Sequence, residues 1–181
     1  MAKLVSATYG DALFEVAVSQ NEVDELYNEA QAVLKAVSDN EELMELLNHP
    51  KIVKEEKISV IENTFGKFVS REMTGFLVTI VDKDRCRFIP EILEYFTGKV
   101  KEYKHIGVAY VTTPMELSES SRKKIVDKLL KTTDYREFEM NYAVDESLIG
   151  GMVIRIGDRV VDSSIKHKLE SLSRELIKLD V

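Results

Sequence analysis

Residues 148–165 read LIGGMVIRIGDRVVDSSI. Gly150 and Gly151 open the stretch, and glycine permits positive φ or a close approach of backbone. Beyond them Val153, Arg155 and Gly157 alternate with Met152, Ile154 and Ile156, the period of a short strand. A turn at Gly157-Asp158 precedes Val160-Val161, so the stretch supplies one or two strands. Asp162-Ser163-Ser164 then leads into a charged amphipathic run, the pattern of a helix start. No nucleophile–base pair and no metal-ligand cluster accompanies these signals. The stretch points to architecture and away from catalysis.

Working outward from it, residues 163–179 continue as a helix carrying Ile165, Leu169, Leu172, Leu176 and Ile177. Upstream, Phe138, Met140, Tyr142 and Val144 alternate with polar residues as in a strand. Ser118 caps a helix over 119–131, and Val108–Thr113 is a β-rich run ending at Pro114. The last part of the chain therefore reads as a small β-α-β-β-α unit. Before Gly107 the grammar differs, with helix following helix. Candidate helices cover 3–19, a segment capped by Asn21, a short one ending before His49-Pro50, 53–65 closed by Gly66 as a C′ residue, 69–84, and one with Pro90 in its first turn. The expected fold is mainly α with an α+β C-terminal part: a six-helix bundle over 1–104 and an α+β domain over 105–181.

The chain has 181 residues, 44% of them hydrophobic and 31% charged, with a formal net charge of −7. Such length buries a real core, and the acidic balance argues against broad binding to a phosphate backbone. One cysteine, Cys86, excludes an internal disulfide and fits a reducing compartment. No apolar run approaches the roughly 18 residues of a spanning helix, and the start lacks a signal-peptide or transit pattern. The expectation is a cytoplasmic protein, without membrane insertion of its own, that can still sit on a membrane complex.

Chemistry finds little support. Arg85 and Arg87 flank Cys86, but a nucleophile also needs a base and an orienting group, and His49, His105 and His167 lie far off in sequence. The histidines lack ligand spacing, and Gly150, Gly151 and Gly157 form no phosphate-cradling motif. No catalytic residue, metal site or cofactor is expected. Two helices carry too much apolar surface for one stripe. In 3–19, Val5, Tyr9, Ala12, Leu13 and Val16 are joined by Leu4, Ala7, Phe14, Ala17 and Val18; in the fifth, Met73, Phe76, Leu77, Val78, Ile80 and Val81 cover most of the circumference. Either both lie in the core, or a groove between them accepts an amphipathic helix of another protein. Arg155, Arg159, Lys166, His167 and Lys168 gather positive charge near the opening stretch. These suit strand-edge charges, an acidic protein helix or, as the alternative function, nucleic acid bound by a regulatory protein.

The sequence resembles the delta subunit family of F-type ATP synthases, called the oligomycin sensitivity-conferring protein in mitochondria. The resemblance runs along the whole chain and rests on VDESLIGGMVIRIGDRVVDSSIKHKL at 144–169, ATYGDALF at 7–14 and VDKDRCRFIPEIL at 81–93. Asp84 departs from it, since a turn-favouring Gly or Asn is expected there. What the resemblance implies is a non-catalytic peripheral-stalk subunit, one copy per complex, on the cytoplasmic face of a bacterial cell membrane. It links the catalytic head to the b-subunit stator so that proton flow is coupled to ATP synthesis. The helical half is then expected to bind the N-terminal helix of an alpha subunit through Tyr9, Ala12, Leu13, Val16, Phe76, Leu77, Ile80 and Val81. The C-terminal half is expected to bind the C-terminal region of the b subunit through Gly150, Gly151, Met152, Val153, Ile154 and Ile165. On this reading Tyr9→Asp or Ile80→Asp weakens head binding and leaves the fold intact.

Overall fold

The computed structural model describes residues 2–179, with eight α-helices and four strands among them. Two compact units divide the chain, 1–100 and 101–181. In the first, α1 (Ala2–Gln20), α2 (Val23–Asp39), α3 (Glu41–Asn48), α4 (Lys54–Phe65), α5 (Arg71–Asp82) and most of α6 (Ile89–Tyr103) follow one another through short connections. The amphipathic spacing read from α2 holds: Leu26, Ala30, Val33 and Val37 are buried on one face. They meet Leu13 and Ala17 of α1, Ile61 and Phe65 of α4, Met73, Leu77, Ile80 and Val81 of α5, and Ile92, Phe96 and Val100 of α6 in a single apolar cluster. Burying such side chains is the main force for folding, about 1.5–3 kcal/mol for each Leu, Ile or Phe.

Helix ends follow their hydrogen bonding more closely than propensity. Asn21 does not begin α2. It sits at φ 59 and closes α1, with its N–H donating to the Val18 carbonyl (3.2 Å) and that of Glu22 to Ala17 (2.9 Å). This paired closure needs a left-handed residue, which Asn tolerates. The same closure ends α5: Asp84 stands at φ 54, with Asp84 N–H on Val81 and Arg85 N–H on Ile80, both 3.0 Å. That is the physical reason for expecting Gly or Asn at this position, and Asp is the next best fit. Gly66, in contrast, is right-handed at φ −60, because the chain leaves α4 through further turns over the Phe65 carbonyl. It is not a left-handed C′ residue. Ser70 caps α5, accepting from Met73 N–H at 3.2 Å. The Glu29 carboxylate of α2 in turn accepts from Ser70 N–H and Oγ at 2.6 and 2.7 Å.

The second unit holds β1 (Ile106–Thr113), α7 (Glu119–Thr132), β2 (Glu137–Val144), β3 (Val153–Ile156), β4 (Arg159–Asp162) and α8 (Ile165–Leu179). The opening stretch thus yields two strands, and the order is β-α-β-β-β-α. The sheet runs β2-β1-β3-β4. β1 and β2 are parallel, joined by the α7 crossover; β3 is antiparallel to both β1 and β4. Ser118 caps α7. Ile125 and Leu129 of α7 form a core with Ala109, Val111 and Phe138, with Met140, Met152, Ile154 and Ile156 against it. Gly157, at φ 55, is the first of two residues linking β3 to β4, a position where glycine suits a tight hairpin.

Candidate partner-binding surfaces

On α1 two neighbouring rows of side chains have different fates. Leu13 is 2% exposed and Ala17 fully buried, while Tyr9 and Phe14 are half-buried against the same core. The adjoining row, Leu4, Thr8, Ala12 and Val16, is exposed. Thr8 turns its hydroxyl back, donating to the Leu4 carbonyl at 2.8 Å, so the row offers mainly apolar surface. The helix is fastened elsewhere. A Cβ on Gly10 would lie 2.4 Å from the Tyr95 ring of α6, so only glycine allows this approach without a shift. Beside it the Asp11 carboxylate accepts from Tyr95 Oη at 3.1 Å and from Lys99 Nζ. The Lys99 bond, ahead of other causes, holds the Asp11 carboxyl below its ordinary value.

α5 contributes less to this surface than its composition suggests. Leu77, Ile80 and Val81 are fully buried within the bundle, and Phe76 is half-buried. Between the exposed ends Arg71 and Asp82, only Gly75 and Thr79 are wholly outward, and Thr79 likewise turns its hydroxyl to the Gly75 carbonyl, at 2.8 Å. Leu13, Leu77, Ile80 and Val81 are therefore core residues of the bundle. Ile80→Asp would place a carboxylate in that core, so it cannot leave the fold intact.

In the second unit the glycine pair is held by its own chain. A Cβ on Gly150 would lie 2.6 Å from Ile165 Cδ1, and one on Gly151, at φ 77, would lie 2.3 Å from the Ser163 carbonyl oxygen. Ile165 N–H donates to Gly150 at 3.0 Å, and Ser163 donates to Met152 through N–H (2.9 Å) and Oγ (2.8 Å). The pair thus packs against the entry to α8. That entry is capped by buried Ser164, whose Oγ accepts from His167 N–H at 3.1 Å. Asp162 accepts from Ser164 N–H at 2.8 Å, and hydrogen bonding from the Ser164 side chain, then from this N–H, holds its carboxyl below the ordinary value. Met152 and Ile154 face the sheet core, whereas Val153 lies on the opposite face.

Further apolar groups stand outside. Ile165, expected to meet the b subunit, is 43% exposed although its Cδ1 lies against Gly150, and Leu169 and Leu172 of α8 are 54% and 55% exposed at helical spacing. Leu176 and Ile177, read as its continuation, have side chains outside the described residues. Ile149 is exposed at φ 65, a left-handed conformation that β-branched residues rarely adopt. On the sheet face away from α7, a depression of about 340 Å³ is lined by Tyr110, Thr112, Asn141, Ala143, Val153 and Val160. The Arg155 guanidinium stacks 4.6 Å above the Tyr110 ring. Cys86 is buried, and burial pushes its thiol above its ordinary value, the opposite of what a nucleophile needs.

Comparison with known proteins decides between the readings. The family profile described as the ATP synthase delta (OSCP) subunit matches residues 5–176. The chain belongs to this family. An ATP synthase subunit delta from Lachnoclostridium phytofermentans is 54% identical over 181 residues, spanning the whole of both chains. One from Desulforudis audaxviator is 33% identical over 168 residues, 93% of this chain and 92% of that one. A chain in the cryo-EM structure of the Toxoplasma gondii mitochondrial ATP synthase hexamer shares the fold, with a TM-score of 0.75 at 19% identity, covering 95% of this chain and 97% of that one. As a delta (OSCP) subunit the chain is a structural, non-catalytic component of the peripheral stalk of an ATP synthase. No helix among the described residues is long and apolar enough to cross a membrane.

Proposed function

We propose that the two units grip two different partners. The helical unit holds the N-terminal amphipathic helix of an alpha subunit, along Leu4, Ala12 and Val16 of α1 with Tyr9 and Phe76 at the margin. The α+β unit holds the C-terminal region of the b subunit on the α8 stripe, flanked by Ile149 and by Gly150–Ile154. One copy per complex, on the cytoplasmic face of a bacterial cell membrane, then keeps the head from turning with the rotor. Resisting torque requires contacts that rarely release. Apolar helix-in-groove contacts suit this, and a stable interface buries about 1,000 Å² or more.

The observation that carries the reading is the α8 stripe. Leucines at 54% and 55% exposure on a regular helix leave unburied apolar surface that a partner helix would cover. The exposed row on α1 supports the same logic for the other grip. Val16→Asp tests the head contact without touching the core, since Val16 is 38% exposed. Its affinity for a peptide of the alpha-subunit N-terminus is expected to fall at least about tenfold, the scale of losing one well-packed anchor. Unchanged affinity with a folded variant removes α1 from the interface.

A further inference from the structure

Beside the start of α4 lies a depression of about 720 Å³, and its lining includes Lys51, Lys54, Lys57, Glu55, Asp84 and Arg87. Lys57 is the unusual member. It is only 7% exposed, lines the depression, and has no hydrogen bond or ion pair from its ammonium to any described residue. No fully buried side-chain nitrogen among the described residues lacks a partner, so Lys57 Nζ keeps contact with solvent, and Lys57 is one of the residues that line the depression. Carrying an ammonium into such a place without a counter-charge is unfavourable, and an anion would offset it.

A second, independent feature lies at the same depression. Val53, the residue before α4, is extended and offers no side-chain cap, and it lines the depression together with Lys54 and Glu55. The first amides of the twelve-residue helix, at Lys54, Glu55 and Glu56, have no acceptor among the described residues. Uncapped helix N-termini present N–H groups and the positive end of the helix dipole to anions. Within the lining, Lys54 is already paired with Asp84 at 3.0 Å. Lys51, Lys57 and Arg87 then face Glu55 alone among the lining carboxylates, a cationic excess in a chain whose net charge is −7.

We propose that this depression binds a phosphate group, either free inorganic phosphate or the phosphate end of a small phosphorylated molecule. Its oxygens accept from the α4 amides and from Lys57 Nζ, while Lys51 and Arg87 close the charge from the rim. The site is independent of the partner assignments above.

The test is a nuclear magnetic resonance titration of the isotope-labelled full chain with inorganic phosphate, and separately with ATP, at ionic strength held constant by sodium chloride. Saturable shifts of the Lys54–Lys57 amides are expected. Saturation by phosphate identifies the free anion as sufficient; saturation by ATP alone identifies a phosphate borne on a larger molecule. Lys57→Met is expected to weaken binding about tenfold, the loss of one charge-assisted hydrogen bond. Val53→Asp gives a second reading that does not depend on Lys57: the new carboxylate caps α4, raises the melting temperature and displaces the anion. Shifts that never saturate and match those from chloride overturn the proposal. So does unchanged affinity in both folded variants, because Lys57 is then a side chain that merely reaches solvent.

Discussion

Gly151 combines two demands that no other residue meets. Its φ of 77 lies in the left-handed region, and a Cβ there would stand 2.3 Å from the Ser163 carbonyl oxygen. Gly151→Ala is therefore expected to destabilise the second unit by more than about 1 kcal/mol, read by urea denaturation followed at the amides of that unit. The sequence showed that a glycine pair mattered and could not show why. The cause is a carbonyl twelve residues downstream, and that contact exists only after β3 and β4 have paired. The Asp11 carboxyl is held below its ordinary value, chiefly by its bond to Lys99. A depressed carboxyl contributes stability above its unfolded value and loses it as pH falls through the folded one. Asp11→Asn is thus expected to be less stable than the parent at neutral pH, with the gap closing as pH falls below the ordinary carboxylate value. A gap that persists in acid would assign its origin to packing and not to the ion pair.

At the scale of elements, periodicity located each helix and nearly every strand, because apolar spacing reports which element forms. It does not report which of two adjoining apolar rows turns inward. On α1 the row with Leu13 and Ala17 is buried and the row with Ala12 and Val16 is not, a choice made by Gly10 seating on Tyr95. α5 was legible as over-apolar, yet its Leu77, Ile80 and Val81 are all absorbed by its own bundle. α8 is the converse. Its Ile165, Leu169 and Leu172 stand largely exposed. Leu169→Asp is consequently expected to change stability by no more than about 0.5 kcal/mol, as for other surface substitutions. The same variant is expected to lose b-subunit binding, measured by co-purification with the stalk. A large loss of stability would show that Leu169 serves the fold.

For the whole molecule, the change of grammar near Gly107 announced two units, and the structure divides them after Val100, inside the helix that runs on to Tyr103. What composition could not show is which surfaces remain open after each unit has closed its core. If those surfaces are the two grips, breaking either one separates chemistry from transport. Membrane vesicles carrying Val16→Asp or Leu169→Asp are expected to hydrolyse ATP while their ATP-driven ion pumping drops; full pumping in both would sink the two-grip reading. The division has a temporal side as well. Every residue of the helical cluster lies at or before Val100, whereas β1 cannot find its parallel neighbour until residue 144 has been added. On the ribosome the first hundred residues can thus consolidate while the sheet still lacks an edge, and a pause in translation between Thr113 and Glu137 would leave β1 waiting as an unpaired, aggregation-prone strand.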